Sequence, residues 1–125
     1  MRVLLLIPLV LSAPAAVAQN SPRTVEVELS SFDYTPNVIR LRAGEPVVLR
    51  LVNDSGGGHN FAAPQFFAAA SVAPGQNVPI RRGAIEVPSH SSVSVRLTPA
   101  RGRYRLRCTH TFHTMLGMTG RIVVE

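Results

Sequence analysis

Six side chains with imidazole or sulfur donors lie in two short stretches of the chain. His59 sits in Gly56-Gly57-Gly58-His59-Asn60-Phe61, and the run from Cys108 to Met118 (CTHTFHTMLGM) adds Cys108, His110, His113, Met115 and Met118. Two imidazoles and a thiolate with a weak axial thioether suit a mononuclear copper site that exchanges one electron. Thiolate and thioether favour Cu(I) and imidazoles hold Cu(II), so the ion changes oxidation state with little rearrangement. Zinc is the chemical rival, but a structural zinc site takes four strong donors and does not use methionine. Two registers compete within the run. Cys108, His113 and Met118 follow the spacing Cys-x4-His-x4-Met, while His110 and Met115 also have four residues between them. One residue between Cys108 and His110 leaves little chain to wrap two ligands around an ion, whereas Gly117 lets the backbone turn beside Met118. The register with His113 and Met118 is preferred, and His110 then falls at the rim. His90, between two serines after Pro88, reads as an exposed turn residue.

The compartment bears on the cysteine. Met1-Arg2, the apolar run Val3 to Leu11 and the small residues Ala16-Val17-Ala18 form a signal-peptide pattern. Residues 1–18 are expected to be removed, leaving a 19–125 domain that is periplasmic or secreted. Pro8 and the shortness of the apolar run argue against a membrane span, which takes about 20 apolar residues. In an oxidising compartment the chain's one cysteine cannot close an internal disulfide. Cys108 is therefore a buried inert thiol, an intermolecular bridge or a metal ligand, and its histidine and methionine neighbours favour the last.

The elements that must position these residues are strands. Val25, Val27 and Leu29 alternate with Glu26 and Glu28, and Ile39 and Leu41 alternate with Arg40 and Arg42. Pro46 to Asn53 is an almost continuous β-branched run, which reads as a central strand. Val93, Val95 and Leu97 alternate with Ser94 and Arg96, and Tyr104, Leu106 and Cys108 alternate with three arginines. Gly120 to Glu125 closes the pattern. Cys108 shares the apolar face of Tyr104 and Leu106, so its sulfur is expected to look into the core. Ala-rich Phe61 to Ala73, with Pro64 placed to open it, predicts one short helix that packs Phe66 or Phe67 on the core. Pro74 to Gly83 reads as loop. The whole predicts an antiparallel, all-β sandwich.

At the quoted residues the chain resembles the cupredoxins, the plastocyanin- and azurin-like type 1 blue copper proteins. The Cys-to-His gap is similar to azurin's and the His-to-Met gap to plastocyanin's. The resemblance implies a Greek-key β-sandwich with one copper ion held by His59, Cys108, His113 and Met118. It also implies that Asn60 reaches Thr109 and braces the two ligand loops. On this reading the protein is not an enzyme but passes single electrons between redox partners. Copper buffering or delivery with the same ligands is the alternative, and a metal-free interaction module the third reading.

Counting removes several other functions. A binuclear copper-A centre needs two bridging cysteines, and a multicopper oxidase needs repeated His-x-His pairs and two or more such domains. No HExxH, GxSxG or Walker motif is present, so hydrolysis and nucleotide chemistry have no support. The formal charge is +6, and every basic residue is arginine. Arg103, Arg105 and Arg107 alternate outward on the strand before Cys108, with Arg81, Arg82 and Arg101 as candidates to enlarge that patch. For an exported monomer, nucleic acid is an implausible partner, and an acidic face on a redox protein or an anionic membrane surface is more sensible, beside the plain reading of a solvated sheet face.

Overall fold

A computed structural model describes residues 8–15, 21–113 and 115–125. Ala16-Val17-Ala18 and Met1 to Ile7 of the signal pattern lie outside the described residues. Residues 8–15 are exposed and without regular structure. Among the described residues no helix is long and apolar enough to cross a membrane.

The chain runs β1 (Arg23–Ser30), β2 (Asp33–Thr35), β3 (Val38–Leu41), β4 (Val47–Asn53), β5 (His59–Ala62), α1 (Pro64–Ala69) and β6 (Ser71–Val72). It continues through β7 (Ile80–Arg81), β8 (Ala84–Val87), β9 (Ser91–Thr98), β10 (Gly102–Arg107) and β11 (Thr119–Val124). Two sheets form, ordered β2-β1-β4-β9-β6 and β3-β11-β10-β5-β8-β7. The period-two pattern explains what lies between them. Val27, Leu29, Leu49, Leu51, Val95 and Leu97 of the first sheet meet Ile39, Ile85, Leu106 and Ile122 of the second in one buried cluster. Burying each such side chain contributes about 1.5–3 kcal/mol, so the sandwich has a core that does not depend on a metal ion.

The pairing departs from the antiparallel expectation at two places. β1 pairs parallel with β4, and β11 pairs parallel with β3. Parallel neighbours need a long crossover, and the chain supplies one. β3 leaves the first sheet to flank β11 in the second, and β4 returns beside β1. Alternation reports which face a strand buries but not which way its neighbour runs.

The helix is shorter than the Ala-rich stretch. Phe61 and Ala62 are drawn into β5, where they pair with Ile85 and Ala84 of β8. Pro64 opens α1 as expected, and both Phe66 and Phe67 are buried. Phe67 packs edge-on to Phe61 at 6.0 Å, and Phe66 to Tyr104 at 5.5 Å. Within the expected 74–83 loop, Ile80 and Arg81 form the short β7.

Candidate metal centre

His59 is not in the glycine loop but is the first residue of β5, whose four residues are all buried. Buried Asn53, at the end of β4, sets this position. Its amide donates to the carbonyls of Gly57 (2.9 Å) and Val87 (3.0 Å), and its Oδ1 accepts from the backbone and hydroxyl of Ser55. The glycine loop is thus tied to β8, and β5 starts at His59. Cys108 follows β10 and is fully buried. Its N–H donates to the Met118 carbonyl at 3.1 Å, closing the base of the 108–118 loop. Inside the loop the His113 N–H donates to the His110 carbonyl (3.1 Å) and the Met118 N–H to the His113 carbonyl (3.0 Å). These bonds turn His113 back over Cys108.

Three donor atoms converge. His113 Nδ1 lies 3.2 Å from His59 Nδ1 and 3.3 Å from Cys108 Sγ. All three lie within 4.8 Å of one another. Donors bound to one ion at about 2.0–2.3 Å would stand roughly 3.3–3.8 Å apart, so the spacing fits a single metal ion. Met118 is fully buried in the same cluster as Cys108. His59 Nε2 is buried without a hydrogen-bond partner among the described residues. Burial, and then the positive charge that His113 and His110 would carry, hold the His59 pKa below its ordinary value. The ring is kept neutral, the form in which it donates a lone pair to a metal.

A second layer fixes the donors. The Asn60 N–H points at Cys108 Sγ at 3.5 Å, and its side chain bridges to the residue after the cysteine. Asn60 Nδ2 donates to Thr109 Oγ1 at 2.6 Å, and Asn60 Oδ1 accepts from the Thr109 N–H at 2.9 Å. The contact implied by the family resemblance is therefore present. Tyr34 adds a buried hydrogen bond to the Asn60 carbonyl at 2.7 Å, and burial raises its pKa. Glu86 completes the layer. It stands opposite Asn60 in the β5–β8 register, accepts from Asn60 Nδ2 at 2.9 Å, and holds His110 Nε2 at 2.8 Å.

The family model of the cupredoxin-like domain matches residues 1–124. The chain belongs to the cupredoxin-like family. A structure of auracyanin B is 27% identical, with 89% of this chain and 95% of that chain covered at a TM-score of 0.61. A dithionite-reduced auracyanin from the photosynthetic bacterium Roseiflexus castenholzii is 20% identical over 85% of this chain and 99% of that one, with a TM-score of 0.62. The McoA multicopper oxidase of Aquifex aeolicus is 16% identical over 92% of this chain but only 32% of its own, with a TM-score of 0.63. The latter two likenesses speak to the fold alone. No curated protein sequence matches the chain.

The residues of the second register, His110 and Met115, have other surroundings in this cupredoxin. Met115 is 81% exposed, and His110 points its Nε2 at Glu86. His110 remains close, with its ring centre 5.4 Å from that of His113 and 6.5 Å from that of His59. His113 is half-buried, and Phe32 meets it edge-on at 5.2 Å. Phe32 and Phe112 both have positive φ, 70° and 65°. Bulky residues are uncommon in that region, and here both flank His113 in the chain or in space. Phe112, Met115 and Leu116 are exposed, giving the His113 end of the molecule an apolar rim. Sequence reasoning missed Asn53, Tyr34 and Glu86.

Proposed function

We propose that this cupredoxin is an exported mononuclear type 1 copper protein that carries single electrons between partner proteins and is not an enzyme. Residues 1–18 act as its signal peptide, and residues 19–125 form the mature domain in the periplasm or outside the cell. His59, Cys108 and His113 would hold one copper ion, with the Met118 thioether as a further donor. The observation that carries this reading is the convergence of His59 Nδ1, Cys108 Sγ and His113 Nδ1 beneath an apolar rim. When bound, copper supplies the one-electron Cu(I)/Cu(II) couple. The protein's residues do the remainder. Asn60 steadies the Cys108 sulfur through its N–H, burial keeps water from His59, and the loop hydrogen bonds hold His113 in place. The His113 ring is the donor that reaches the surface, and the rim around it excludes water when a partner docks.

A second reading has one observation in its favour. The exposed thioether of Met115 stands on the rim where a soft Cu(I) ion could be passed on. Voltammetry of the protein loaded with one copper equivalent, repeated with a Cu(I) chelator present, tests the choice. A reversible one-electron wave that persists with chelator supports electron carrying. Loss of the ion to the chelator on reduction would favour delivery.

A further inference from the structure

The β7–β8 connection is a two-residue turn at Arg82 and Gly83, with φ of 52° and 70° and Arg81 paired to Ala84. Consecutive left-handed residues mark the tight hairpin turn that asparagine, aspartate or glycine enters with least strain. Arg82 takes that place instead. The hairpin is clamped in position. The Ala63 N–H donates to the Gly83 carbonyl at 2.9 Å, and a Cβ on Gly83 would overlap Pro64 at the start of α1.

Between this hairpin and the end of β10 lies a cleft of about 620 Å³. Ala62, Pro64, Pro79 and Ala84 give it an apolar lining, and Asn60 and Thr109 belong to it as well. Arg81, Arg82 and Arg107 line it, all three exposed and without an ion pair among the described residues. Glu86 is its one carboxylate, and both of its oxygens are taken, by Asn60 and His110. The positive charge continues along the sheet. Arg105 stands opposite Arg121 across the β10–β11 register, with Arg103 further along β10. Like charges placed opposite each other destabilise a sheet, so folding does not account for this face. The arginine–carboxylate pairs among the described residues, Arg42–Glu45 and Arg50–Glu26, lie elsewhere.

We propose that this cleft docks an acidic segment of a partner protein, its carboxylates held by Arg81, Arg82 and Arg107. Guanidinium forks grip carboxylates bidentately, and the apolar lining suits the backbone and methylenes of such a segment. Arg107 directly precedes Cys108, and Thr109 directly follows it, so the docked segment lies against the strand that delivers the thiolate. Neither His113 nor the exposed apolar residues near it line the cleft. A partner held there leaves that rim free. The inference rests on the electron-carrier reading for its purpose but not for its test.

The test is fluorescence anisotropy of a labelled hexaglutamate peptide at low salt, with the protein metal-free and copper-loaded. The triple variant Arg81→Gln, Arg82→Gln, Arg107→Gln should weaken binding about tenfold. A control with the same charge loss on the other sheet, Arg23→Gln, Arg50→Gln, Arg96→Gln, should weaken it no more than about twofold. Arg82→Asn separates binding from folding, because it should raise the melting temperature by easing the turn while weakening the peptide. Equal losses in both triples, or no binding by the parent, would overturn the proposal. So would binding to phosphatidylglycerol vesicles that the cleft triple abolishes while the peptide stays unbound. A colourless copper complex that still binds the peptide would count against the copper reading alone.

Discussion

Removing the Asn60 side chain while leaving the three metal donors in place isolates the brace between the ligand strands. Asn60→Ala loses the bonds to Thr109 Oγ1 (2.6 Å), the Thr109 N–H (2.9 Å) and Glu86 Oε1 (2.9 Å). A net hydrogen bond contributes about 0.5–1.5 kcal/mol. Thr109 and Glu86 are exposed, so water re-satisfies part of what is lost. The expected cost is about 1.5–3 kcal/mol, a fall of roughly 7–15 °C in the melting temperature of a domain this size. Thr109→Ala removes only the hydroxyl contact and should cost about 0.5–1.5 kcal/mol. In the double variant that contact is lost once, so the summed single effects should overshoot by about 1 kcal/mol. The assay is thermal unfolding of the metal-free proteins by circular dichroism, followed by copper titration. Outer partners of metal ligands typically carry about 10–100-fold in affinity, and Asn60→Ala should show a loss in that range. A melting shift below about 2 °C, or strict additivity, would refute the bracing argument.

Three further outcomes follow from the same geometry. His113→Ala should abolish or open the copper site while His110→Ala leaves the visible spectrum nearly intact; Met118→Leu should raise the reduction potential and Met115→Leu leave it in place, and reversed spectra would move the site to His110. Because the folded-state pKa of His59 is lowered, its contribution to stability is complete above the ordinary value of 6.5 and is lost as pH falls toward the folded pKa. The urea midpoint of the metal-free protein should therefore drop on acidification, less so in His59→Gln, and a flat profile would contradict the burial argument. Gly83→Ala puts a Cβ onto Pro64 at a φ of +70° and should lower the melting temperature by about 5–15 °C; a change under about 2 °C would show that the hairpin is not clamped to α1.

Much of the fold was legible because long strands write their burial into alternation. β1, β9 and β10 each carry it, and Cys108 lies on the face that the pattern assigned. β5 did not, since His59 to Ala62 are all buried and leave no period to read. β2 and β7 are too short for one. The parallel pairings of β1 with β4 and β3 with β11 depend on which sheet each strand joins, and that is decided by tertiary packing. The metal-donor candidates were legible for a chemical reason, since cysteine, histidine and methionine at these spacings have few other uses together. Glu86 was not, because its role depends on the β5–β8 register that places it opposite Asn60. Asn53 was hidden likewise, as an ordinary polar residue at the end of an apolar run.

The electron-carrier reading turns on Cys108 binding copper as a thiolate between two imidazoles. It is tested by the visible absorption spectrum after adding one equivalent of Cu(II) to the parent and to Cys108→Ser. An intense thiolate-to-copper charge-transfer band is expected in the parent and none in the variant, because a serine hydroxyl cannot supply that transition. A pale parent complex with the same spectrum as Cys108→Ser would contradict the thiolate site.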